Sequence, residues 1–173
     1  MQVKLKRVEL DKKEVLINLI EKYDYEFSQY IPWDVDERGL YCNDDEVADC
    51  YWQTDGNDAA YFIEVDEKLA GFVMVANASG LGDRETDYMI SEFFVMHKYR
   101  RSGVGKQAFF DVLSKHKGRW QVFYFPENIS ASNFWERVIK EYTKGHYELI
   151  QSHPHPDYLF NDTFRNVIYF DNI

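Results

Sequence analysis

The sequence predicts an α/β or α+β protein built on one mixed sheet of six or seven strands with crossover helices. Three observations carry this. Apolar residues recur at three- and four-residue steps in some segments and alternate or cluster in others, so helical and strand periods take turns along the chain. Two β-prone runs are joined by Asp66-Glu67-Lys68, a hairpin signal. No stretch rich in Pro, Gly or Ser is long enough to be a linker and no segment repeats, so residues 1–173 read as a single domain.

The elements follow in order. Val3, Leu5 and Val8 alternate with charged neighbours as in an edge strand, and Asp11 with Glu14 has the spacing of a capping box. Val15, Leu16, Leu19, Ile20, Tyr23 and Phe27 then share one face of a helix from about Lys12 to Tyr30, which Pro32 ends. From Asp34 to Asp58 nine acids face the single base Arg38, a composition that predicts loops around a short helix near Asp45 to Trp52. Ala60 to Val65 and Leu69 to Ala76 form the hairpin strands, and Gly80 and Gly82 break the chain before a strand from Asp87 to Met96. After it come a glycine-bearing loop, a helix to about His116, a strand from Trp120 to Phe125, and a helix to about Tyr142 that Gly145 caps. Two strands, around Tyr147 and from Val167 to Phe170, close the list.

Composition narrows the function. Twenty basic against thirty acidic side chains give a net charge of −10, which argues against nucleic acid, since phosphate contacts need clustered Lys and Arg. A cationic or neutral partner fits better. Cys42 and Cys50 are too few for a disulfide framework and do not have zinc spacing. Neither a secretory apolar core near Met1 nor a run of about eighteen apolar residues is visible, so the expectation is a cytoplasmic protein with no membrane partner. His153-Pro154-His155-Pro156-Asp157 lacks a fixed fourth ligand, and no metal is assigned to it. His97, His116 and His146 are isolated and read as surface groups or local hydrogen-bond partners.

The sharpest local signal is Arg100-Arg101-Ser102-Gly103-Val104-Gly105-Lys106, between a strand and an amphipathic helix bearing Val104, Ala108, Phe109, Val112 and Leu113. The first turn of a helix offers N–H groups and a partial positive charge, and glycines let a bulky anion such as a pyrophosphate approach the backbone. The competing reading is a loop with glycine for steric reasons alone. The spacing fits neither the nucleoside triphosphate loop nor the G-x-G-x-x-G dinucleotide loop.

Strand, Arg-x-x-Gly-x-Gly and helix, followed by a second strand and helix, resemble the GCN5-related N-acetyltransferase (GNAT) family. Phe94-Val95-Met96-His97-Lys98-Tyr99-Arg100 is similar to that family's fourth strand and its exit, and Leu69-Ala70-Gly71-Phe72 to its third strand. Asn128-Ile129-Ser130-Ala131-Ser132-Asn133-Phe134-Trp135 resembles the family's Asn-x-x-Ala-x-x-aliphatic-Tyr signature opening the fourth helix. The likeness is strong over Ala60 to Tyr142 and elsewhere rests on element order. It implies a mostly antiparallel, twisted sheet of six to seven strands with helices on both faces and a splay between the fourth and fifth strands, the fourth carrying a bulge.

The resemblance also implies acetyl-CoA as co-substrate, bound mainly within residues 92–135, with no metal. Its pyrophosphate would lie on the Arg101 to Lys106 backbone, behind Arg100 and around Ser102, Gly103, Val104 and Gly105. Its pantetheine arm would run beside Phe94, Val95 and Met96, where an N–H near Val95 meets the thioester oxygen, and would meet Asn128, Ala131 and Trp135. Asn128 is equally a plain helix N-cap.

Transfer to an amine requires a base to remove the ammonium proton. Glu92, in the apolar run Phe93-Phe94-Val95-Met96, is the nearest carboxylate, and burial there would raise its pKa, although a strand glutamate can also face solvent. Glu92-Phe93-Phe94-Val95-Met96 is also similar to the equivalent strand of diamine acetyltransferases. Trp135 stands where the family has its general-acid tyrosine, which leaves Tyr142 or Tyr124, or water, to protonate the thiolate; Phe134 and Trp135 also read as core. On the acceptor side, residues 30–58 supply Tyr30 and Trp33, with Tyr41, Tyr51 and Trp52, which with Glu92 could hold a small-molecule cationic amine, or the acidic stretch is only a solvated loop. Polyamine, aminoglycoside and lysine side chains all satisfy that description. A protein amine acceptor, a CoA-binding or ligand-sensing module without catalysis, and a homodimer through apolar strand edges remain open alternatives.

Overall fold

In the computed structural model, residues 1–31, 33–41, 49–52, 58–77, 84–154 and 164–173 are described. The elements among them are β1 (Val3–Arg7), α1 (Lys13–Phe27), β2 (Ala59–Val65), β3 (Lys68–Asn77), β4 (Tyr88–Val95), α2 (Val104–Lys115), β5 (Arg119–Tyr124), α3 (Ile129–Thr143), β6 (Glu148–Pro154) and β7 (Phe164–Asp171). Hydrogen bonding orders the strands as β1-β2-β3-β4-β5-β7-β6 in a mixed seven-stranded sheet. The β2–β3 turn is of the mirror-image kind that matches strand twist, with Asp66 at φ 48° and Glu67 at φ 64°. β4 and β5 pair in parallel over Tyr88↔Trp120, Met89↔Gln121 and Ile90↔Val122.

Helix boundaries depart from the sequence reading for local reasons. The Asp11–Glu14 capping box does not form, because a 3-10 turn at Leu10–Lys12 precedes α1 and Lys12 gives no side-chain cap. Asp11 instead pairs with Lys12 at 3.3 Å. α1 stops at Phe27 rather than Tyr30: Ser28 Oγ donates to the Tyr25 carbonyl at 2.7 Å, and the Gln29 amide donates to that of Glu26 at 2.6 Å. Pro32 lies outside the described residues. Leu16, Leu19 and Ile20 are buried as expected, but Val15 is 37% exposed. The short helix read near Asp45 to Trp52 is a 3-10 turn at Asp49–Trp52, its earlier part lying outside the described residues, as do Cys42, Gly80, Gly82, His155 and Asp157. Lys144, at φ 54°, takes the left-handed cap of α3, one residue before Gly145.

The chain divides into two compact units, whose boundaries fall inside β3, β4 and α2. In the first, residues 1–75 and 92–108, both sheet faces are covered. Leu16, Leu19 and Ile20 of α1 pack on Ala60, Phe62, Phe72, Met74 and Phe94, while Val104 and Ala108 of α2 pack with Ile63, Val65 and Ala70 on the opposite face. In the second, residues 76–91 and 109–173, an aromatic core stacks Trp120 on Phe170 (centroids 6.3 Å apart, 9° between planes) with Phe109 edge-on to Phe170 and Trp135. No described helix is long and apolar enough to cross a membrane.

Candidate active site

In the first unit, strand alternation holds through the end of β4: Phe94 and Met96 join the α1 side of the sheet and Phe93 and Val95 the α2 side. Glu92 falls on the α1 side too, where Tyr23 and Asp24 of α1 act on it. There its carboxyl is enclosed even though the residue keeps some exposed surface, and its pKa rises to about 7. Burial is the main cause; a hydrogen bond with Tyr23 opposes the rise, and the charge of Asp24 adds to it.

The backbone of β4 has its own directionality. The Met96 N–H donates to the Ala70 carbonyl of β3 at 2.8 Å, so the Val95 N–H and C=O, one residue earlier, turn to the other edge. The Val95 carbonyl accepts from Arg100 Nε at 2.6 Å. The rest of the Arg100 guanidinium forks onto Glu26 of α1 at 2.9 and 2.7 Å, touches His97 Nδ1 at 3.2 Å, and lies 5.6 Å above the Phe94 ring centroid. His97 Nε2 also approaches Glu26 at 3.1 Å, and the side chain, 79% exposed, is the surface group with a local hydrogen-bond partner that the sequence suggested.

Next comes the loop. Arg101 at φ 60° and Gly103 at φ 87° turn the chain in the left-handed region, and Ser102 Oγ ties back to the Tyr99 carbonyl at 2.7 Å. The first helical bond of α2 runs from Gln107 N–H to Gly103 C=O at 3.0 Å, which leaves the Val104 and Gly105 N–H groups outside the helix's own ladder. A β-carbon built on Gly103 meets nothing within 4 Å. The backbone there is open to a ligand, as a pyrophosphate cradle requires.

In the second unit, Asn128 is the N-cap of α3, its Oδ1 accepting from Ala131 N–H at 2.9 Å. The cap role read from the sequence is therefore present. Trp135 is 6% exposed and edge-on to Phe109 with centroids 5.3 Å apart, so its indole packs in the core, as the second sequence reading had it. Tyr142 sits in the last turn of α3 with its ring edge-on to Phe110 at 5.1 Å. Tyr124 is buried and donates to Glu136 at 3.1 Å; burial above all raises its pKa, so it gives up a proton less readily than an ordinary tyrosine.

An enclosed carboxyl near the end of β4, an open loop and the bare start of α2 thus follow one another along the chain. The profile of the Acetyltransferase (GNAT) family matches residues 20–139. The chain belongs to the GNAT family. No curated protein matches it. Among solved structures, a GNAT-family acetyltransferase from Streptococcus agalactiae aligns with a TM-score of 0.66 at 13% identity over 98% of this chain and 95% of that one. An N-acetyltransferase from Staphylococcus aureus gives 0.64 at 11% identity over 99% of both chains, and an acetyltransferase from Thermus thermophilus 0.62 at 12% over 99% and 97%. At such identities the likeness is one of fold.

The residues that the sequence assigned to an acceptor side divide in this GNAT chain. Tyr30 heads an aromatic row in the first unit: its ring is edge-on to Phe27 (6.1 Å), Phe27 packs on Tyr23 (4.4 Å), and Tyr23 stands edge-on to Phe94 (5.9 Å). Trp33 is 37% exposed. Asp36 is spent on its own loop, accepting from Leu40 and Arg38 backbone N–H groups and the Arg38 side chain, which hold its carboxyl below the usual range. Sequence reasoning missed Glu26 and Asp24, and took Tyr23 for a core residue. Helical periodicity assigns such residues a face but cannot name their partners across the fold. Among the described residues no three His, Cys, Asp or Glu side chains cluster as metal ligands.

Proposed function

We propose that the chain transfers an acetyl group from acetyl-CoA to a primary amine, a small cationic acceptor, by direct attack in a ternary complex, with residues 1–173 acting as one acetyltransferase domain. Family membership supports acetyl transfer, and the family's donor fits the residues present, since Gly103 and the start of α2 offer open backbone to a pyrophosphate. Bound acetyl-CoA supplies a thioester that an amine can attack. The observation that carries the amine reading is Glu92, an enclosed carboxyl with a pKa of about 7.

A base poised near neutrality accepts the ammonium proton without excessive cost in either direction. The Val95 N–H, turned away from β3, is the donor aimed at the thioester oxygen, and one preorganised donor of this kind stabilises developing negative charge by about 3 kcal/mol. Tyr30 leads the aromatic row that a cationic acceptor would follow towards Glu92. With Trp135 in the core and Tyr124 bonded to Glu136, the proton for the thiolate comes from Tyr142 or from solvent. Trp135 also supports a second reading, a CoA-binding module of the same fold without turnover.

Calorimetric titration with acetyl-CoA and with CoA, followed by thiol release against polyamines, aminoglycosides and amino acids, tests both. Micromolar donor binding with amine-dependent release is the expected result. Donor binding without release for any amine leaves the binding module, and no donor binding rejects the phosphate-loop assignment.

A further inference from the structure

Tyr23 is held more firmly than its position in the last turns of α1 requires. Its ring packs on Phe27 at 4.4 Å and stands edge-on to both Phe72 (5.8 Å, 76°) and Phe94 (5.9 Å, 68°). Those rings come from α1, β3 and β4, so three elements of the first unit fix one phenol. Glu92 stands two residues before Phe94 on β4, and the Tyr23 side chain acts on its carboxyl as a hydrogen-bond partner that favours the charged form.

We propose that Tyr23 is the positioning residue of Glu92: its caged ring aims the phenol O–H at the carboxylate, orients one oxygen and leaves the other for the acceptor's proton. The proposal rests on the reading of Glu92 as base. A buried carboxylate without a donor would stay protonated and useless as a base, while a salt-bridged one would be too weakly basic. A neutral hydroxyl lies between these limits. The other groups that act on Glu92 support the assignment. Asp24 of α1 is negative and disfavours the carboxylate, and β3 contributes the apolar Leu69, Phe72 and Met74 to the cluster on that face. The nearby cation, Arg100, is turned onto Glu26 together with His97. Tyr23 is thus the group on α1 that favours the charged form.

The test uses the full chain labelled with ¹³C at glutamate carboxyls and tyrosine ζ-carbons, with Glu92→Gln assigning the Glu92 signal. In Tyr23→Phe, which keeps the ring contacts, the Glu92 midpoint should rise by about one pH unit, the worth of one hydrogen bond to a charged group. The acidic limb of kcat/KM should rise with it, and the rate should recover to within about threefold of wild type above the new midpoint. In the wild-type protein the Tyr23 ζ-carbon should itself inflect at the Glu92 midpoint, which gives the answer even if the variant folds poorly. An unmoved Glu92 midpoint, or a Tyr23 signal blind to it, overturns the assignment whatever Glu92 does. A moved midpoint with an unmoved rate limb overturns instead the base reading, and with it the catalytic part of the proposal.

Discussion

A β-carbon on Gly71 would collide with the carbonyl oxygen of Phe94 and lie 3.0 Å from the α-carbon of Val95, so β3 and β4 meet at a point that only glycine permits. The hydrogen bond from Met96 N–H to Ala70 C=O is made beside this contact. The obstructing atoms are backbone, which cannot swing aside as a long side chain would. Gly71→Ala should therefore force the strands apart and cost about 3 kcal/mol, the upper end of overpacking penalties. Urea denaturation would show it, and a midpoint equal to wild type would mean that β4 shifts at no cost.

A second close arrangement lies at the end of the chain. Asn172, 7% exposed, accepts at Oδ1 from Gly118 N–H (2.8 Å) and Trp120 Nε1 (3.2 Å), and donates from Nδ2 to the carbonyls of Leu113 (2.7 Å) and His116 (2.9 Å). One amide thus fastens the end of α2 to the start of β5. Asn172→Ala leaves those groups without this partner and should cost roughly 2–4 kcal/mol, since each buried polar group so stranded costs about 1–3. Thermal unfolding reads the loss, and a change within error would show that water replaces the amide.

Asn172 also shows where sequence reasoning stops. A lone asparagine just past an apolar strand carries no period, spacing or composition signal, and its four side-chain partners are set by folding alone. Strands were legible because alternation and the Asp66-Glu67 turn are local, and Arg100 to Lys106 because its glycines stand next to the helix they open. The direction of the Arg100 side chain was not legible, since Glu26 is 74 residues away. Glu92 lay between: its apolar neighbours predicted burial, but its partners Tyr23 and Asp24 come from another element.

Gly103 combines a left-handed backbone (φ 87°) with open space around its missing side chain. Gly103→Val should cost about 1–2 kcal/mol of stability from backbone strain, and should lower acetyl-CoA affinity at least tenfold by filling the space a pyrophosphate needs. Gly39 provides the control, with φ 78° and likewise nothing within 4 Å of a built β-carbon. Gly39→Val should show the strain without the loss of donor affinity. Equal calorimetric affinities for the two variants would remove Gly103 from the donor site.

Glu92 makes stability depend on pH in a direction opposite to most carboxylates. Its pKa is about 7 in the folded chain against an ordinary 4.5, so between those values the folded state holds a proton that the unfolded state has released. The stability this group contributes is complete below about pH 4.5 and is lost as pH rises through 7. Asp36, Asp87 and Glu148, lowered mainly by hydrogen bonds from their partners, act in the other direction, so the absolute curve mixes signs. The difference between wild type and Glu92→Gln isolates the one site. A glutamine cannot ionise, so at pH 8.5 the variant should be more stable than wild type by roughly 2–3 kcal/mol, and at pH 4 the advantage should vanish. Its turnover at pH 7 should meanwhile fall about 100-fold with donor affinity unchanged, as expected for loss of a general base. Urea unfolding at the two pH values decides the electrostatic half: a stability difference that does not change with pH would mean that the Glu92 carboxyl is solvated, and would leave it an ordinary surface acid.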